Sequence, residues 1–184
     1  MSELLAAVYR GDQARVDELL AAVPELDIFE AAVVGRPDRV EHLLDADPGL
    51  VSSWTEDGFT PLHLAAFFRQ PETARLLVEH GALVDVVARN ERLRVTPLQS
   101  AAAAREEETA ALLLERGADP NAQQLGGFTA LHAAAQNGDD PLVALLLTHG
   151  ADPALPTDDG GTAADLARDA GHAELAARLT SRRA

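Results

Sequence analysis

Two markers keep step along this chain, and together they limit what it can fold into. Threonines open the tetrads T-P-L-H at 60–63, T-P-L-Q at 96–99, T-A-L-H at 129–132 and T-A-A-D at 162–165, at separations of 36, 33 and 33 residues. Gly81, Gly117 and Gly150 each follow one of the first three threonines by 21 residues, and each is followed by Ala. Two independent markers sharing one period point to stacked copies of a single structural unit.

Elementary chemistry gives each copy a shape. Thr60 suits an N-cap, because its hydroxyl can accept from an orphan N–H of the first helical turn. Pro61 follows at the first helical position, where a missing N–H costs nothing. Leu62, Ala65 and Ala66 share a helical face, and the one-carbon Ala side chains let a neighbouring helix approach closely. A break near Arg69-Gln70-Pro71 precedes "ETARLLVEHG", a second helix with Leu76 and Leu77 inward. Gly81 stands where a left-handed residue ends it. The stretch from there to the next Thr reads as polar and turn-like.

The residues "GFTPLHLAAFFRQPETARLLVEHGA", "VTPLQSAAAAREEETAALLLERGADPNA" and "GFTALHAAAQNGDDPLVALLLTHGADP" resemble the ankyrin repeat. "GGTAADLARDAGHAELAARL" looks like a worn copy, and "LLAAVYRGDQARVDELLAA" and "DIFEAAVVGRPDRVEHLLDA" are fainter ones without T-P-L-H. The resemblance implies an all-α solenoid of about six helix-turn-helix units with hairpin-like loops, at 2–26, 27–55, 56–91, 92–124, 125–157 and 158–184. The first and last are expected to act as caps, and the array leaves no room for a separate catalytic domain. One unit is irregular. Gly81 to Thr96 spans 15 residues where Gly117 to Thr129 and Gly150 to Thr162 span 12, so three extra residues fall in the loop "ALVDVVARNERLRV".

Composition narrows the function. Formal charge is −15, with Arg as the sole cationic side chain. Such a field repels duplex nucleic acid and anionic membranes and favours a basic protein surface. Cysteine is absent, which removes disulfides, thiol nucleophiles and Cys-ligated zinc. No signal peptide or membrane span is read. A cytoplasmic monomer is expected, and the Arg- and Ala-rich usage is associated with GC-rich bacterial genomes.

Each candidate for chemistry has a plainer structural role. The resemblance implies that His63 and His132 bridge backbone and Thr groups within and between loops; Gln99 and Asp165 take their place elsewhere, which suits hydrogen bonding better than metal ligation. His80 and His149 precede the helix-ending glycines, where a cation complements the helix dipole. The carboxylates of "LLDADPG", "GDD" and "TDDGG" lack the offsets of a calcium loop. There is no Lys for a phosphate loop, no G-x-G-x-x-G and no G-x-S-x-G. No enzyme activity, cofactor or metal is therefore expected.

The resemblance also implies a concave binding face built from loop tips and first helices. It carries over to the residues before each tetrad, Phe59, Val95 and Phe128, and to those after A-A, Phe67 with Phe68, Ala103 with Ala104, and Gln136 with Asn137. Tyr9, Val33 and Val34 would extend an apolar strip into the early units. Phe67 and Phe68, about 100° apart on a helix, cannot both face one way, so at least one is a candidate for the core. Arg92 and Arg94 sit on the long loop, and Asp139, Asp140, Asp158 and Asp159 could steer a basic partner. The expected function is a protein–protein interaction module. The alternatives are an acidic inhibitor or immunity-type protein for a basic enzyme and, more remotely, a hydrolase or metal enzyme with a groove site.

Overall fold

A computed structural model describes residues 2–22 and 25–181; parts of the first and last expected units, at 23–24 and 182–184, lie outside them. The described residues form helix pairs in chain order: α1 (Glu3–Tyr9) with α2 (Gln13–Ala22), α3 (Ile28–Val34) with α4 (Pro37–Ala46), α5 (Pro61–Phe67) with α6 (Pro71–Glu79), α7 (Pro97–Ala104) with α8 (Glu107–Glu115), α9 (Ala130–Gln136) with α10 (Asp140–Thr148), and α11 (Ala163–Asp169) with α12 (Ala173–Ser181). No strand occurs among the described residues, only an isolated bridge between Pro156 and Thr162. The first helices contact one another in sequence from α1 to α11, and the second helices do so from α4 to α10. This is the expected all-α solenoid.

The recurring tetrad is a reciprocal cap. Thr60, Thr96 and Thr129 each accept from the backbone N–H three residues on, while the side chain there accepts from the Thr N–H. Asp165 accepts from both the N–H and the hydroxyl of Thr162. The faint second unit builds the same box from other letters: Asp27 accepts from the Glu30 N–H and Glu30 from the Asp27 N–H. Ser2 caps α1 through the Leu5 N–H. Losing such a cap typically costs about 1 kcal/mol, so cap chemistry persists where the T-P-L-H letters do not.

The core lies between the two helix layers. Ala31, Ala65, Ala66, Ala101, Ala102, Ala134 and Ala135 have no exposed surface, so the first helices meet backbone to backbone. Leu77, Leu113 and Leu146, at the same place in successive second helices, are also fully buried. Each such Leu contributes about 1.5–3 kcal/mol through removal from water. Gly81, Gly117 and Gly150 adopt φ of 89°, 87° and 89° just past these helices, the left-handed stop expected of them. His80 and His149 donate from Nδ1 to the carbonyls of Leu76 and Leu145 at 2.9 and 3.0 Å.

Candidate functional site

The loops between helix pairs fold as tight hairpins, closed by bonds from the Thr55 N–H to Phe59 O, Ala88 N–H to Val95 O, Gln124 N–H to Phe128 O and Thr157 N–H to Gly161 O. The second of these holds the three extra residues. Backbone bonds link the first hairpin to the second, from the Arg89 N–H to Gly58 O at 2.8 Å, and the third to the fourth, from the Asp158 N–H to Gly126 O at 2.8 Å. Among the described residues none links the second to the third. Instead the Gln99 amide donates to Ala122 O and Phe128 O at 2.7 and 3.2 Å.

A groove of about 560 Å³ lies beside this interruption. Phe59, Leu64, Phe67, Phe68, Leu93, Val95, Ala103 and Ala133 line it together with Tyr9, and Asp57, Asn90, Ser100 and Gln124 contribute polar atoms. Such a site, concave and apolar with a few polar groups, is the usual form of a binding pocket. Phe67 remains 47% exposed and Leu93 49% exposed. Both adjacent phenylalanines reach the groove because α5 ends between them. Phe67 is its last residue, and Phe68 is already the cap, with φ −89° and ψ 13°. Phe68 also packs edge-on to Tyr9 at 5.4 Å and to Phe67 at 5.2 Å, and leans on the buried Leu5, Ala32, Val33 and Leu64. It is thus half core and half wall.

The floor carries one buried imidazole. Nδ1 of His63 accepts from the Thr60 N–H at 3.3 Å, so Nε2 holds the proton and donates to Val95 O at 3.0 Å. The residue therefore ties its own cap to the next hairpin. Burial pushes its pKa down to about 4, against partial opposition from the Val95 and Val86 carbonyls, so it is neutral at pH 7. His132 repeats the cap, and burial lowers its pKa too, against partial opposition from the Gly161 and Leu155 carbonyls, although among the described residues its Nε2 makes no hydrogen bond of good geometry. Near the groove mouth, burial and then the charge of Asp57 push the Tyr9 phenol up to about 12.

The structure divides the remaining sequence candidates. Arg92 and Arg94 are exposed on the long hairpin and flank Leu93. Phe128 is half-buried with its ring 5.8 Å from His132, and does not line the groove. Gln136 is exposed away from it, and the Asn137 amide donates to Ala102 O at 3.5 Å. Asp139 caps α10 and pairs with Arg105 at 3.5 Å, and Asp140 pairs with Arg178. Asp158 and Asp159 stand exposed on the last hairpin. The strip extended to Val33 and Val34 needs correction. Val33 is 2% exposed and Val34 half-buried, both packed among core residues, because the α3–α5 contact covers that face. Leu93 was missed, although an apolar residue amid "RNERLRV" is the available signal. Among the described residues no group of three or more His, Asp or Glu could hold a metal, and no helix is long and apolar enough to cross a membrane.

Comparison with known proteins agrees with this architecture. A family model described as ankyrin repeats (3 copies) matches residues 28–124, and one described as ankyrin repeats (many copies) matches residues 113–167. The human "DNA-binding protein RFXANK" is 36% identical over 80 residues, 44% of this chain and 30% of that protein. The match thus spans less than a third of that relative's length.

Proposed function

Since the chain belongs to the ankyrin-repeat family, whose repeats are protein–protein interaction modules, we propose that it binds a protein partner in the groove beside the long hairpin. The observation that carries this reading is the groove itself, where Tyr9, Phe59, Phe67, Phe68, Leu93 and Val95 converge on one open apolar site. Aromatic side chains in partly enclosed pockets dominate binding energy at interfaces. The acidic field of the chain favours a basic partner. The neutral His63, fully engaged at both ring nitrogens, acts as a strut under the groove rather than as a proton-transfer group.

The test is affinity purification with mass spectrometry on the wild type, on Phe67→Ser with Leu93→Ser, and on Glu115→Arg on the outer helix layer. The expected outcome is a protein retained by the wild type and by Glu115→Arg but lost from the double variant. Identical retention by all three would refute the groove as the binding site.

A further inference from the structure

Charges of opposite sign stand on the two hairpins beside the groove, and one side chain braces those hairpins together. Among the described residues Asp57 is the only charged one lining the groove. Its carboxylate is exposed and has no ion-pair partner among the described residues. It approaches Tyr9 closely enough for its charge to be felt at the phenol. On the neighbouring hairpin Arg92 and Arg94, also without ion-pair partners among the described residues, bracket the exposed Leu93. One hairpin tip thus presents a carboxylate and the next two guanidiniums, on either side of the groove residue Leu93.

Asn90 fixes this arrangement. Its amide nitrogen donates to Asp57 O at 3.0 Å, and its amide oxygen accepts from the N–H groups of Arg92 and Leu93 at 3.0 and 3.2 Å. Its carbonyl accepts from the Arg94 N–H at 3.1 Å. The backbone beside it lies so close to Gly58 that a Cβ there would stand 2.7 Å from Asn90 N. The long hairpin is therefore braced at the backbone against its neighbour before any partner arrives. Preorganisation of this kind removes ordering cost from binding.

We infer that the groove reads a protein segment in one direction: a large apolar anchor between Phe67 and Leu93, a Lys or Arg beside it over Asp57, and an Asp or Glu on its other side against Arg92 and Arg94. Charge complementarity selects this occupant. An uncharged apolar segment would leave both tips unpaired, and a uniformly basic one would meet the two guanidiniums. The inference rests on the proposed function and refines it.

The test is selection of a displayed library of random 12-residue peptides on the wild type and on the charge-swapped Asp57→Arg, Arg92→Asp, Arg94→Asp variant, with Phe67→Ser as groove control. The expected result is enrichment of peptides with basic and acidic residues on opposite sides of an apolar anchor, with the order inverted on the swapped variant. Synthetic peptides of matched and reversed order should differ about five-fold in Kd at low salt, and the difference should shrink at 0.5 M salt. Asn90→Ala should narrow it as well, with little change in melting temperature. Enriched peptides that need Phe67 but show no charge order would overturn this inference and leave the groove as a protein-binding site. Peptides indifferent to Phe67→Ser would overturn both.

Discussion

The second and third hairpins and the third and fourth hairpins solve the same problem differently. In the regular pair, 124–128 and 157–161, the loops are equal in length and the Asp158 N–H reaches Gly126 O. A Cβ on Gly127 would stand 2.8 Å from Asp158 N, so the hairpins touch at the backbone. In the irregular pair the second hairpin is three residues longer, among the described residues no backbone bond crosses from it to the third, and the groove lies there. The residue before each hairpin's closing position reports the difference. Gly58, Gly127 and Gly160 hold φ of 86°, 75° and 84°, and the place belongs to Arg94, φ 45°, in the long hairpin. At Gly58 and Gly127 the next hairpin's backbone presses on that position, at Gly160 nothing does, and at Arg94, where the hairpins separate, a side chain fits. The helix layers do not register the change, since Leu77 and Leu113 on either side of the insertion are equally buried. A break in loop register thus opens a site without disturbing the stack.

The sharpest way to break this contrast is in the core. Leu77→Ala and Leu113→Ala are each expected to cost about 2–5 kcal/mol through lost burial and a cavity, and urea unfolding should give similar values for both. A large asymmetry would show that the insertion perturbs the helices after all.

Acid comes next. Neutral His63 is favoured in the folded state, so the unfolded chain takes up more protons between its usual pKa near 6.5 and about 4. Its contribution is fully present above pH 6.5 and is lost as pH falls through that window, on the order of 2–3 kcal/mol. His63→Gln, borrowing the residue that Gln99 supplies one unit on, should leave stability at pH 7 within about 1 kcal/mol and flatten the acid dependence from pH 6.5 to 4. An unchanged acid profile would remove His63 as the cause.

The hairpin glycines give a smaller, graded series. Gly58→Ala and Gly127→Ala, left-handed and crowded by backbone, should cost about 2–3 kcal/mol, whereas Gly160→Ala, left-handed with nothing within 4 Å, should cost about 1 kcal/mol. Equal losses in thermal unfolding at all three would mean that hairpin contact plays no part. Smallest of all is Phe67→Ser, expected to change stability by less than about 0.5 kcal/mol because the ring is half in water. A loss above 2 kcal/mol would make Phe67 core rather than wall.

The period, the caps and the helix stops were legible because they are local. A Thr three residues before His, Gln or Asp can make its reciprocal bonds whatever lies beyond, and a left-handed glycine ends a helix within one turn. Asp27 and Glu30 form the same box yet escaped notice, since a search for T-P-L-H sees letters rather than hydrogen-bond capacity. The extra loop residues could be counted from the chain, and Phe59, Phe67, Phe68 and Val95 could be placed on one face by resemblance. Asp139 and Asp140 looked free in the sequence and are engaged by Arg105 and Arg178, which come from other units.

Taken alone, the chain determined that helix pairs recur, where each begins and stops, and which unit is irregular, because those features depend on contacts spanning a few residues. Only the tertiary structure decided that the long hairpin separates from the next, that Asn90 braces it to Asp57, and that Tyr9 from the first unit joins phenylalanines from the third. Those outcomes depend on how far apart two loops stand once both are anchored on packed helices, a distance set by the whole stack.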